Sequence, residues 1–234
     1  MKIVFRCLPE LEAILPPPVP AKRGLPDWLK RMPMTALAED FEAEVKTVKQ
    51  CPPFVDAMSF GFILPLPCDL TYEDGAFAWD WSELPAGLPR HTSRAPLSFH
   101  LPAQVVDSPL FEADSLLIKF MNFWTMELEP GYSLLVTHPV NRPDLPFRTV
   151  TGLVDADRYV DNYVHFPAAW TEPDFKGVLP KGTPVAQCVA VPRQGLELAF
   201  EPLDAERQSR LAEIQDEIFQ PGGSYRKRFR QKKA

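Results

Sequence analysis

The sequence predicts a mainly β fold, an antiparallel β-barrel or sandwich with two peripheral helices. Three observations carry that expectation. Prolines number 27 in 234 residues, more than twice the usual share of about 5%. Proline lacks an amide donor and stops helices, so such a chain favours short strands joined by rigid turns. Apolar runs bounded by Gly, Pro, Asn and Asp also recur through the second half, and apolar residues at helical spacing are confined to two stretches.

Taken in order, residues 2–8 alternate as a strand. Residues 14–20 hold Pro16, Pro17, Pro18 and Pro20 and read as extended polyproline. A short helical turn over 26–32 carries Trp28 and Leu29. From Thr35 to Gln50 the sequence predicts the first helix, with Leu37, Phe41, Val45 and Val48 on one face, acids early and lysines late. Residues 57–70 read as buried strands. Phe77, Trp79 and Trp81 alternate with Ala78 and Asp80, which predicts a strand with one aromatic, core-facing side. Residues 82–114 read as loops with short strands.

The strand series continues over 115–129, 132–137, 148–154, 159–166 and 185–191, with a last strand over 196–200. Asp204 is then a cap for the second helix, where Leu211, Ile214 and Ile218 share a face, and Pro221-Gly222-Gly223 ends it. The organisation expected is a single globular domain over 1–224 and a basic tail over 225–234.

Net charge is −6, which argues against a whole-surface nucleic-acid binder. The tail is the exception, with Arg226, Lys227, Arg228, Arg230, Lys232 and Lys233 and no acid. It suits an acidic partner, a phosphate backbone or an anionic membrane surface. Cys7, Cys51, Cys68 and Cys188 are widely spaced, which suggests neither a zinc knuckle nor a disulfide scaffold. With no signal-peptide core and no apolar stretch of transmembrane length, a reducing cytoplasm is the expected home.

The densest polar residues lie between Pro130 and Val191. Asp155 and Asp157, with Arg158 and Tyr159 beside them, can orient water, bind a cation or accept sugar hydroxyls. Asn141, Arg142 and Asp144 can join from the preceding turn, and Arg142 suits anionic substituents. The plainer reading is that Asp and Asn hold turns through their own backbone. His138 and His165 flank this pair in sequence. Two histidines and a carboxylate would suit non-haem iron, although no compact His-x-Asp or His-x-His pair is present. Walker, Rossmann and Gly-x-Ser-x-Gly signatures are absent, and the sequence names no cofactor.

The segment Gly152-Leu153-Val154-Asp155-Ala156-Asp157-Arg158-Tyr159, with Gly182-Thr183-Pro184-Val185-Ala186-Gln187, resembles the later motifs of the deoxyuridine triphosphatase family. Pro130-Gly131-Tyr132-Ser133-Leu134-Leu135 is similar to the strand leading into that family's phosphate motif, whose Arg-Ser-x-Leu is here replaced by His138-Pro139-Val140-Asn141-Arg142. The resemblance implies a β-clip-like barrel, with Asp155 at sugar and water, Tyr159 stacked on a deoxyribose and Gln187 near a phosphate. Arg158 departs from the motif by separating the aspartate from the tyrosine. Over its whole length the chain also resembles an uncharacterised family of bacterial and tailed-phage proteins. That likeness rests on residues 47–54, Gly61-Phe62-Ile63-Leu64-Pro65-Leu66, residues 139–147 and residues 180–187.

These readings lead to a binding protein whose polar pocket, formed by Asn141, Arg142, Asp155, Asp157 and Tyr159, takes an anionic or sugar-bearing, nucleotide-like ligand. Alternatives are a metal-dependent oxygenase-like enzyme using His138 and His165, a degenerate nucleotide hydrolase, and a phage-related structural or assembly protein. A homo-oligomer is left open.

Overall fold

The computed structural model describes residues 1–109, 116–219 and 225–231. The expected helix stop at Pro221-Gly222-Gly223 and the last tail lysines, Lys232 and Lys233, lie outside the described residues. The chain divides into two compact units, one made of Met1–Met32 with Asp56–Arg193, the other of Pro33–Val55 with Gln194–Ala234.

The first unit is built of antiparallel sheets. Its five-stranded sheet runs, edge to edge, Gly152–Val154, Tyr132–Thr137, Pro184–Pro192, Phe62–Pro65 and Val19–Pro20. A four-stranded sheet runs Phe147–Thr149, Phe166–Trp170, Leu116–Phe120 and Leu97–Phe99. A three-stranded sheet of Gly177–Leu179, Leu70–Glu73 and Ala76–Trp79, and the pair Val4–Arg6 with Thr125–Glu127, complete the set. Alternation decides which side chains go inward. Phe62, Leu64, Leu134 and Val136 from the five-stranded sheet share one core with Ile118, Phe120, Phe147 and Phe166 from the four-stranded sheet. The packing is sandwich-like, and among the described residues the sheets do not close into a barrel.

Two backbone positions show why glycine stands where it does. Asp74 and Gly75 both take positive φ, 48° and 82°, the combination a two-residue hairpin needs to join Leu70–Glu73 to Ala76–Trp79. Gly61 has φ +76°, and a Cβ there would collide with the carbonyl oxygen of Cys188. The helix Pro52–Ser59 can therefore turn straight into the strand Phe62–Pro65 beside Cys188.

In the second unit the expected helix over 35–50 is instead a hairpin, Thr35–Ala38 paired with Ala43–Lys46. Glu42 reverses the chain in a left-handed conformation, φ 47°. The open end is clamped by Thr47, whose N–H donates to Met34 O and whose hydroxyl donates to Pro33 O at 2.6 Å, and by Gln50 Nε2 donating to Met34 O at 2.8 Å. These bonds fix a return that helical spacing alone does not anticipate. Among the described residues the two longer helices are accordingly Pro52–Ser59 and Ala205–Phe219. The second begins where Asp204 was expected to cap it, with Arg207 N–H donating to Asp204 Oδ1 at 2.8 Å.

Other expectations shift. The aromatic strand face divides, because Phe77 packs on the main core while Trp81 lies beyond the strand in a second cluster with Phe123 and Leu11. Residues 159–162 form turns and bends, and Tyr163 makes a single antiparallel bridge to Thr125, before the strand Phe166–Trp170 begins. Residues 196–200 pair with no strand among the described residues. All four cysteines are free, and no helix of the described residues is long and apolar enough to cross a membrane.

Candidate functional site

The strand Tyr132–Thr137 organises the polar residues, because a cluster lies at each of its ends. At its start, antiparallel pairing sets Tyr132 opposite Pro192, so the next residue, Arg193, arrives beside Gly131. Its N–H donates to Gly131 O at 2.9 Å. The guanidinium then donates to both oxygens of Asp157, to Asp155 Oδ1 at 3.2 Å and to Tyr132 O at 3.0 Å. Ser133 Oγ donates to Asp155 Oδ1 at 2.7 Å, and Gly131 N–H donates to Asp157 Oδ2 at 2.9 Å.

Asp157 is consumed by this arrangement, with its side chain only 5% exposed. The Arg193 hydrogen bonds, then the Gly131 N–H, hold its carboxyl far below the usual carboxylate range. Asp155 remains exposed at the rim. Its carbonyl accepts the N–H groups of Arg158 and Tyr159 at 2.9 and 2.8 Å, so residues 155–159 form a local turn. Tyr159 projects from that turn, 45% exposed.

At the other end stands the turn from His138 to Asp144. Asn141 has φ 55°, a conformation asparagine tolerates better than most residues. Arg142 grips Asp144 in a forked pair, Nε to Oδ1 and Nη2 to Oδ2, both at 2.8 Å. Trp28 Nε1 donates to the same carboxylate at 3.3 Å. Burial pushes the Asp144 pKa up, but the Arg142 hydrogen bonds and charge, with help from Trp28, outweigh it and hold the group below its ordinary value. Trp28, Arg31, Arg142, Asp144 and Gly182 line an open cleft of about 450 Å³.

Six residues at about 3.3 Å per step place the two ends roughly 17 Å apart. The cleft lined by Arg142 includes none of Asp155, Asp157 and Tyr159, and no hydrogen bond described above joins Asn141 or Arg142 to those three. Gln187 is in neither cluster as a ligand group. It is 2% exposed; its Nε2 donates to Ala57 O and Phe60 O, each at 2.8 Å, and its Oε1 accepts Val140 N–H at 3.0 Å.

The histidines are likewise engaged by the fold. His138 Nδ1 accepts Thr149 N–H at 3.3 Å, so Nε2 carries the proton and donates to Arg142 O at 3.0 Å. Both ring nitrogens are occupied, and burial depresses the pKa. His165 Nδ1 accepts Asn122 N–H at 3.1 Å. Burial first, and then the charge of Lys119, bring its pKa down to about 4. Among the described residues no group of three or more His, Cys, Asp or Glu side chains is placed to hold a metal ion.

Sequence reasoning missed Arg193, Arg31 and the place of Trp28 in a cleft. The signal for Arg193 existed only in the strand register, since it lies 36 residues from Asp157 and 60 from Ser133. Arg31 sits one turn beyond Trp28 on the five-residue helix Asp27–Arg31, too short to have displayed a face.

No family model matches this sequence, and no curated protein does. Among solved structures, two mutants of the dUTPase of Staphylococcus bacteriophage 80alpha, each with dUpNHpp, match part of it. One has a TM-score of 0.28 at 19% identity and covers 42% of this chain and 73% of its own. The other has a TM-score of 0.27 at 13% identity, with coverage of 50% and 89%. The resemblance to the phage dUTPase-like β-clip fold is weak and partial.

Proposed function

We propose that this protein binds a small anionic or sugar-bearing ligand in the cleft between the helix Asp27–Arg31 and the turn that carries Arg142. The single observation behind this reading is the set of groups converging there. Arg31 and Arg142 supply two guanidinium groups, and Trp28 supplies an aromatic wall. Arg142 is already oriented by Asp144, with its side chain 12% exposed, so its charge is largely offset and its geometry fixed. Arg31 is exposed, and its charge acts on Asp27, which lines the same cleft and is paired with Lys30. Arginine forks match phosphate and carboxylate oxygens, and an indole face accepts a sugar or a base. In this reading Arg31 captures the anion and Trp28 orients the rest of the ligand.

Titration calorimetry with nucleoside mono-, di- and triphosphates and with sugar phosphates tests the reading. Saturable binding is expected for at least one of them, weakened about tenfold or more by Arg31→Ala and by Trp28→Ala. Arg31 supports no fold contact described above, so its variant separates binding from stability. Absence of binding across the panel, or binding indifferent to both substitutions, overturns the reading.

A further inference from the structure

The helix Ala205–Phe219 is amphipathic, yet none of its described side chains is buried. Residues 192–213 are exposed without a break. Leu211 is 47% exposed, and in the extended segment before the helix Leu196, Leu198 and Phe200 reach 90%, 77% and 91%. A lone helix of this length is marginal in water and normally draws its stability from packing an apolar face. A run of large apolar side chains this exposed marks an interaction surface.

The charges of the helix say what covers it. Its first half carries Arg207 and Arg210 against one acid, Glu206, while its second half carries Glu213, Asp216 and Glu217 and no base. Asp204 caps the start and Arg228 is paired with Glu217, but the remaining order, Arg207 and Arg210 before Glu213 and Asp216, opposes the helix dipole, which favours acids at the start and bases at the end. Antiparallel to a second copy of itself, the same order becomes complementary: each basic half faces an acidic half, and Leu211 and Ile214 meet at the centre. A parallel pair would set acid against acid. A groove of about 530 Å³ beside the stripe, lined by Leu203, Arg207, Leu211 and Ile214, offers room for side chains from the facing helix.

We propose that the helix Ala205–Phe219 is a homodimer interface, two copies packing antiparallel about a two-fold axis near Leu211 and Ile214. Such an interface is isologous, the same patch serving both subunits. A single helix pair of four turns is small beside the roughly 1,200–2,000 Å² of a stable interface. The dimer therefore dissociates on dilution, and Leu196, Leu198 and Phe200, exposed in the segment before the helix, are apolar area available to extend it.

Sedimentation velocity of the full chain, from micromolar to submillimolar concentration, tests this. The expected result is a mass rising from monomer to dimer, and a monomer throughout for the double variant Leu211→Glu with Ile214→Glu. A second arm guards against simple loss of the helix. Arg207→Glu with Arg210→Glu, and separately Glu213→Arg with Asp216→Arg, are each expected to weaken self-association about tenfold. Mixing the two charge variants is expected to restore a dimer. A wild-type monomer at every concentration, an oligomer untouched by the Leu211 and Ile214 substitutions, or a mixture that fails to associate overturns the proposal.

Discussion

Gln187 Oε1 accepts the N–H of Val140 at 3.0 Å, so the amide of a central strand holds the turn that carries Arg142. The other half of the same amide spans 130 and 127 residues to Ala57 O and Phe60 O. Gln187→Ala removes, from a side chain only 2% exposed, the acceptor of Val140 N–H and the donor shared by Ala57 O and Phe60 O. The expected cost is about 3 kcal/mol, measured by urea unfolding. A variant as stable as the parent would show that the amide does not hold these segments together.

Gly61→Ala is expected to destabilise the first unit by roughly 3 kcal/mol or more, since it combines a left-handed backbone with a clash against main chain. The Cys188 carbonyl it would strike belongs to a central strand of the five-stranded sheet and has little room to withdraw. Thermal unfolding checks this, and an unchanged midpoint would mean the turn can be remade.

Arg193→Met is expected to return the Asp157 pKa toward its ordinary value of 3.8, as followed by carbon NMR of the carboxyl. The sign follows from linkage. A carboxyl whose folded pKa is depressed contributes stability above the unfolded pKa and loses it as pH falls through the folded pKa. Removing the guanidinium therefore moves the acid limb of unfolding to higher pH. An Asp157 titration that stays depressed in the variant would assign the effect to Gly131 instead.

His165 makes the protein acid-sensitive in a higher window. Its folded pKa of about 4 lies below the ordinary 6.5, so between these values the unfolded chain takes up a proton that the folded chain refuses. Stability is expected to fall as pH drops from 6.5 toward 4, with His138 acting in the same direction. His165→Gln keeps an acceptor for the Asn122 N–H while removing the titration, and is expected to flatten that slope. An unaltered pH profile would remove His165 from the account.

Legibility followed the range of the interactions. The strand Tyr132–Thr137 and the Asp204 cap could be read because alternation and capping are settled within a few residues. The hairpin over 35–46 could not. Leu37, Phe41 and Val45 fit a helical stripe, and the decision fell to Thr47 and Gln50 reaching back to Pro33 and Met34. Leu196, Leu198 and Phe200 have a strand's alternation, but a strand also needs an edge to join, and no period records whether one is present. Of the ligand residues expected, Arg142 lines the cleft, while Gln187 and Asp157 are committed to partners between 26 and 130 residues away. Residue type announced polarity there, and only register decided whom each group would bind.

A stiff ladder rung between two charged ends also isolates them energetically. Substitutions at Arg193 and at Arg142 have no common neighbour among their described contacts, and sites that far apart perturb stability additively. A change at one terminus of the Tyr132–Thr137 strand therefore leaves the cost of a change at the opposite terminus as it was, and new chemistry can be tried at one end while the anchor at the other stays in place.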